Sequence, residues 1–342
     1  MPEHGLATDS DDPDRLPAAE CFPAYPASWY LFCPVADLRR GPVSKGIVGR
    51  RLVAFRTERG KLAVMEAHCA HLGADLGFGS VEGETIQCPF HHWRYGSDGV
   101  CVAGPDPAEM RRVPCLETYP AEERHGYLFF FNGPEPLFPL PFFFGAEAED
   151  FVAGKPFRYV SDCSWYMNSA NAFDMQHFLC VHGRELIGPC EVDCPAPFAR
   201  RNRYRANIVG QSASDRFLRR AAGPTVEVSI TSWGGCYMLM TADFPRAYSR
   251  FLIATQPLDD GRTLCEGIVF MRRGGGVLAR RLWQPLSLIV RRWLTHGFVA
   301  DEARDLRGVR YNPMGLVRKD QEMIGFFRWA ASLPQRFPTE VE

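Results

Sequence analysis

The stretch CAHLGADLGFGSVEGETIQCPFHHW, Cys69 to Trp93, holds a Cys and a His two apart and, after sixteen intervening residues, a Cys and a His three apart. Thiolate and imidazole are soft and borderline ligands, suited to zinc or to iron–sulfur clusters. A zinc site with two of each is closed and structural, and finger-type sites pair Cys with Cys and His with His. Here each half supplies one Cys and one His. Two loops of that composition would grip a dinuclear [2Fe–2S] cluster from either side, with two Cys on one iron and two His on the other, an arrangement whose potential lies at roughly −150 to +300 mV. Gly73 and Gly77 allow the first loop to bend closely around sulfide, and Pro89 stiffens the second. Loop N–H groups released from β pairing can donate to the cluster sulfurs.

Short β-type runs surround this stretch: WYLFCPV, RRLVAFRT, KLAVMEA, TIQCPF, WRYGSDGVCV and HGYLFFFNG. Strands at such spacing, with turns like SDG between them, describe a small antiparallel β domain. The proline-rich Gly133–Phe143 follows as a boundary, so residues 27–133 are expected to form the cluster domain and 134–342 a second domain. The acidic segment 1–26, without a basic or apolar run, reads as a disordered tail and not a signal peptide, which places the protein in the cytoplasm. Twelve cysteines without a repeating spacing argue against a disulfide framework. The formal charge of −1 comes from acids and bases spread along the chain, which argues against nucleic acid as a partner.

In the second domain, Cys163–Leu179 has few breakers and predicts a helix, and Thr225–Arg273 predicts a meander with Gly234-Gly235 and Asp259-Asp260-Gly261 as turns. A long helical region from Val277 to about Arg310 follows, and strands then helices in one segment give an α+β architecture. Leu278–Val299 is interrupted by Pro285 and several arginines, so it is no membrane span. It is basic and amphipathic, which leaves peripheral membrane contact open, but a buried helix with outward arginines is the expectation.

The Cys-x-His and Cys-x2-His loops resemble the Rieske-type domain of non-haem iron oxygenases, and the resemblance implies Cys69 and Cys88 on one iron and His71 and His91 on the other. Ala74 and Phe90 stand where respiratory Rieske proteins carry disulfide cysteines, which favours the oxygenase or ferredoxin branch. His92 departs from the family's usual Gly, and CPFHHWRY is similar to the aminopyrrolnitrin oxygenase group. His68 and His92 are read as extra histidines outside the ligand set.

A second constellation lies in NAFDMQHFLCVH, Asn171 to His182. Asp174 and His177, three apart, share a helical face, whereas His177 and His182, five apart, would diverge by about 140° on a regular helix. Either the helix ends near Cys180 or a π-bulge turns His182 back. Two His and a carboxylate form the facial triad of non-haem Fe(II) oxygenases. The resemblance implies His177 and His182 as ligands, Asp174 as a bridge between metal centres and Asn171 close to the iron. For the third ligand Asp301, Glu302 and Asp305 are available: a stripe of Phe298, Leu306 and Val309 centres on Glu302, while family precedent favours Asp.

The resemblance also implies a helix-grip, START-like catalytic domain, a head-to-tail homotrimer, and a separate ferredoxin or flavin reductase, in keeping with the lack of a GxGxxG fingerprint after a strand. With O2, such an enzyme oxidises a small molecule. Meander strands rich in Phe, Met, Trp and Tyr predict an apolar pocket for an aromatic substrate, an arylamine or natural-product intermediate, with steroid or ring hydroxylation as the alternative. A Rieske ferredoxin-like electron carrier and a zinc-stabilised binding module are the readings from other classes.

Overall fold

The β runs between Trp29 and Asn132 sort into three small antiparallel sheets. Trp29–Pro34, Tyr127–Phe131 and Ala121–Arg124 form the first; Val43–Ile47, Arg50–Arg56, Leu62–Glu66 and Thr118–Tyr119 the second; Ser80–Glu82, Thr85–Gln87, Arg94–Gly96 and Cys101–Ala103 the third. The computed structural model describes residues 16–106, 112–277 and 279–335. Period-2 alternation sends Val53, Phe55, Met65, Ile86 and Tyr95 into one apolar cluster between the second and third sheets. Each such fully buried side chain contributes about 1.5–3 kcal/mol of burial free energy.

Asp75 ties this cluster to the first ligand loop. Its carboxylate accepts the Gly77 N–H (2.8 Å), the Ser44 hydroxyl (3.0 Å) and the Arg51 Nε–H (2.8 Å). Burial pushes the Asp75 carboxyl up, but these donors and the Arg51 charge outweigh it and hold the group below the usual carboxylate range. Gly73, at φ +75°, bends the loop as expected. Gly77 is needed for another reason: a Cβ there would stand 2.1 Å from Ser44 Oγ, so the glycine serves close packing on a neighbouring strand and not approach to sulfide.

Among the described residues, every strand after Gly133 joins one nine-stranded sheet. Its centre is the expected meander: Thr225–Trp233, Tyr237–Phe244, Ala247–Pro257 and Thr263–Arg272, antiparallel throughout. Gly234 and Gly235 make the first turn at φ +52° and +77°, a conformation glycine adopts without strain. Val228, Ile230, Met238, Phe251 and Ile253 face one side. Tyr237, Leu239, Leu252 and Ala254 face the other, where they meet Trp29, Phe131, Phe138 and Phe143. The long helix Gln284–Asp305 packs against the strands Phe157–Ser161 and Thr263–Arg272, which completes the α+β architecture.

Three expectations change. Residues 16–26 belong to the packed structure: Phe22 is buried and stacks on Tyr166 with ring centroids 3.9 Å apart, and the Trp165 indole donates to Pro23 O at 2.9 Å. The remainder of the expected tail, residues 1–15, lies outside the described residues. The single helix over Cys163–Leu179 is three pieces, Trp165–Ala170, a 3-10 turn Asn171–Phe173, and Met175–Cys180, because Asp174 is extended. Finally, the first half of the long helix leaves an apolar face uncovered; Leu286, Ile289 and Trp293 are exposed, as is Leu282 just before it. Among the described residues, no helix is long and apolar enough to cross a membrane.

Asp75→Ala is expected to lower stability by about 1–3 kcal/mol, the range for losing a cap and charge-assisted hydrogen bonds. Because the folded carboxyl titrates below its unfolded value, its contribution is present above the unfolded pKa and fades as pH falls through the folded one. Thermal melts of both proteins should therefore differ most at neutral pH and converge in acid; a gap independent of pH would contradict the assignment.

Candidate metal centres

The two loops place Cys69 and Cys88 in the interior and His71 and His91 at an exposed tip. The first loop closes through Gly73 N–H to Cys69 O (2.8 Å) and Cys69 N–H to Ala74 O (2.9 Å); the second closes through Cys88 N–H to Trp93 O (2.8 Å). The His71 ring stacks on Trp93 (4.3 Å, 5°) and lies 4.7 Å from the His91 ring. Two thiols below and two imidazoles above thus converge from opposite loops, which is the donor chemistry a [2Fe–2S] cluster requires. Burial pushes the Cys69 thiol up, against lowering by the Tyr95 hydroxyl and the His71 N–H. A thiol so disfavoured as a thiolate needs a cation beside it, and bound iron provides one.

Tyr95 Oη, 3.1 Å from Cys69 Sγ, also accepts the Ala70 N–H at 3.2 Å. Sequence reading missed it, although Tyr95 stands two residues after Trp93 and both side chains enter the same apolar cluster. His92 adopts φ +59°. That left-handed backbone is why glycine suits the position, and a non-glycine residue there costs roughly 1–2 kcal/mol. His68 Nδ1 lies 3.0 Å from Gly73 O on the exposed side. Neither extra histidine joins the ligand set, and among the described residues the cysteines form no disulfide framework.

The second constellation is built by the break at Asp174. Its carboxylate accepts the backbone N–H groups of Gln176 (2.9 Å) and His177 (3.1 Å), so Asp174 caps the helix and does not share a helical face with His177. That helix ends at Cys180, and Gly183 at φ +59° turns the chain, so no π-bulge is needed. His182 Nε2 comes to 2.8 Å from His177 Nε2, with its ring stacked on Phe298 (4.1 Å). Asn171 Nδ2 donates to Glu302 Oε1 at 2.6 Å and lies 3.1 Å from His177 Nε2. Ligand atoms of His177, His182 and Glu302 all lie within 4.8 Å of one another. Glu302 reaches inward because Thr295, Val299 and Leu306 form the buried stripe of its helix. Asp305 is exposed beside Arg304 (3.6 Å), and the Asp301 side chain lies outside those described.

Burial pushes the Glu302 carboxyl up to about 7 against lowering by the Asn171 amide, although part of its surface borders the cavity described below. Burial, with His177 and Arg184 adding to it, pushes His182 down to about 3; burial also lowers His177. Two imidazoles kept neutral beside a carboxyl that is costly to ionise leave the site short of positive charge. A divalent cation supplies it, so the donor set fits iron.

These groups border a cavity of about 880 Å³. Val228, Ile230, Met238, Met240, Phe251 and Ile253 give its sheet wall, and the long helix adds Leu286 and Trp293, with Trp283 just before it. Arg184 and Asp215, ion-paired at 2.8 Å, also line it; Arg184 Nη1 donates to His182 O as well, which pins the loop after His182 to the helix Ala213–Ala221. No local sequence signal marks a pair 31 residues apart.

Residues 28–120 match the Rieske [2Fe-2S] domain family. The chain is 29% identical over 284 residues to the aminopyrrolnitrin oxygenase PrnD of Pseudomonas fluorescens, covering 74% of this chain and 77% of that protein. To the oxygenase component of 3-ketosteroid-9-alpha-monooxygenase of Mycolicibacterium smegmatis it is 32% identical, with 46% of this chain and 43% of that protein covered, so it spans less than half of that relative. The fold is similar to that of the terminal oxygenase of carbazole 1,9a-dioxygenase from Novosphingobium sp. KA1, with a TM-score of 0.64, 19% identity, and 92% of this chain and 94% of the other covered.

Tyr95→Phe removes a hydroxyl beside Cys69 and is expected to lower the cluster's reduction potential without changing its visible spectrum, which a redox titration checks. Glu302→Gln tests the burial of the carboxyl in metal-free protein. A folded value of about 7 exceeds the unfolded one, so the stability Glu302 contributes is complete in acid and is lost as pH rises through 7. The variant's melting temperature should therefore gain on the wild type between mildly acidic and mildly alkaline pH. A pH-independent difference would show that the carboxyl is not desolvated.

Proposed function

We infer that this chain, a Rieske-type non-haem iron oxygenase by sequence and by fold, oxidises an apolar aromatic small molecule with O2 and with electrons from a separate ferredoxin or flavin reductase. The observation that carries the reading is the convergence of His177, His182 and Glu302 within 4.8 Å at the wall of an apolar cavity. Cys69, Cys88, His71 and His91 hold the cluster, and His177, His182 and Glu302 hold the iron. When bound, the cluster relays single electrons and the iron binds and activates O2.

The chain's own groups do the rest. Asn171 orients the Glu302 carboxylate, Phe298 and the Arg184 link fix the ring and backbone of His182, and Asp174 fixes the helix that presents His177. The cavity walls desolvate the substrate and exclude water. A volume of about 880 Å³ lies high in the range of small-molecule pockets, which suits an arylamine or natural-product intermediate and admits a steroid as the second reading. The oxygenase components among the relatives support the separate reductase.

Domain division at 133/134 is part of this reading, supported by the separation of the sheets. So is a head-to-tail homotrimer. Among the described residues no hydrogen bond or ring contact joins the cluster loops to residues 171–182, and Asp174, partly exposed, is available to His91 of a neighbouring subunit.

Metal and acid-labile sulfide analysis tests the assignment. About three irons and two sulfides per chain are expected, falling to about two irons with an unchanged cluster spectrum in His177→Ala and in Glu302→Ala. Two irons in the wild type would indicate an electron carrier, and a colourless zinc protein a binding module. Full iron retention in Glu302→Ala would move the third ligand to Asp301 or Asp305.

A further inference from the structure

The exposed half of the long helix has a composition that the proposed oxygenase reading does not use. From Met271 to Ala300 the chain contains Arg272, Arg273, Arg280, Arg281, Arg291 and Arg292 and no Asp or Glu. Within that run Leu282 is 61% exposed, Trp283 67%, Ile289 64% and Trp293 72%. At about 100° per residue, Leu282, Leu286, Ile289 and Trp293 form one stripe, with Trp283 and Val290 beside it. Across the cavity, Phe217 on the helix Ala213–Ala221 is 61% exposed, and Arg216, Arg219 and Arg220 share its helix.

Two features say what covers this face. The first is charge. Arg291 and Arg292 are held by the backbone carbonyls of Tyr248, Lys155 and Pro156, and among the described residues no carboxylate is ion-paired with either. A surface of apolar side chains bordered by arginines, without acids in the run, complements a plane of anionic headgroups over hydrocarbon. The second is the pair of tryptophans, an aromatic type favoured at the membrane–water boundary. The same side chains rim the cavity: Trp283, Leu286, Val290 and Trp293 belong both to the exposed face and to the lining.

We propose that this face seats the protein on an anionic lipid surface, with the cavity mouth against the bilayer, so that an apolar substrate passes from the lipid into the cavity without crossing water. The seating stands on the surface alone; only the passage of substrate rests on the oxygenase reading. Among the described residues no helix is long and apolar enough to cross the membrane, and the attachment is reversible and weakened by salt.

Flotation of the full-length protein with phosphatidylcholine vesicles, with and without phosphatidylglycerol, tests it. Binding is expected to anionic vesicles, weaker to neutral ones, and reduced by high salt. Leu282→Glu/Ile289→Glu, which changes two exposed side chains outside the cavity lining, should cost more than about tenfold in partitioning, from the apolar burial lost. Arg280→Glu/Arg281→Glu, at exposed positions that leave the apolar stripe intact, should abolish the preference for anionic vesicles, with circular dichroism verifying both folds. Absence of vesicle binding by the wild type, or unchanged binding by both variants, overturns the proposal. So does a drop in oligomeric state on Leu282→Glu/Ile289→Glu, which would identify a second copy of the chain as the occupant. Because vesicle binding needs neither metal, a sample lacking the third iron that still floats would leave this proposal standing while the oxygenase reading fell.

Discussion

Asp174 leaves the helical region at φ −90° and ψ 103°, and its carboxylate takes up the N–H groups of Gln176 and His177, so a new short helix begins where the previous turn would otherwise have continued. Had one regular helix run through, His177 and His182 would project about 140° apart. Starting at Met175 and stopping at Cys180 brings the two Nε2 atoms to 2.8 Å. The 3-10 turn before the break points the Asn171 amide at the same spot. Glu302, 131 residues beyond Asn171, is delivered by a helix packed on the same sheet.

Both centres share one electrostatic logic. Burial raises the Cys69 thiol at the first centre, and at the second it raises the Glu302 carboxyl and lowers the His177 and His182 imidazoles, so for these four groups it favours the neutral form. A cation reverses this for the thiol and the carboxyl, while the imidazoles are already in the neutral form that binds it. Binding is then linked to release of protons from the thiol and the carboxyl.

How far the sequence foretold this depends on the range of the determining contacts. The cluster loops were legible because ligand spacing, glycine placement and flanking strands are all local. The inward position of Glu302 was also legible, though on a stripe of Phe298, Leu306 and Val309 where the structure buries Thr295, Val299 and Leu306; Glu302 falls near the centre of the first stripe and about 40° from the centre of the second. The role of Asp174 was not, since an acid three residues before a histidine fits a helical face as well as a cap. Arg184 with Asp215 and Tyr95 with Cys69 are made by tertiary folding and carry no local mark. For Leu278–Val299, periodicity showed an apolar stripe but could not say whether protein would cover it.

The meander assigns alternate residues to separate environments: Met238, Met240, Phe251 and Ile253 to the cavity, and Tyr237, Leu239, Leu252 and Ala254 to the packing that joins the sheet to the N-terminal strands. Shape selectivity and cohesion between the two halves of the molecule are thereby written on interleaved positions of the same strands. A laboratory library confined to every second residue would remodel the reaction chamber while leaving the joint untouched, and natural drift in the range of accepted molecules has the same freedom.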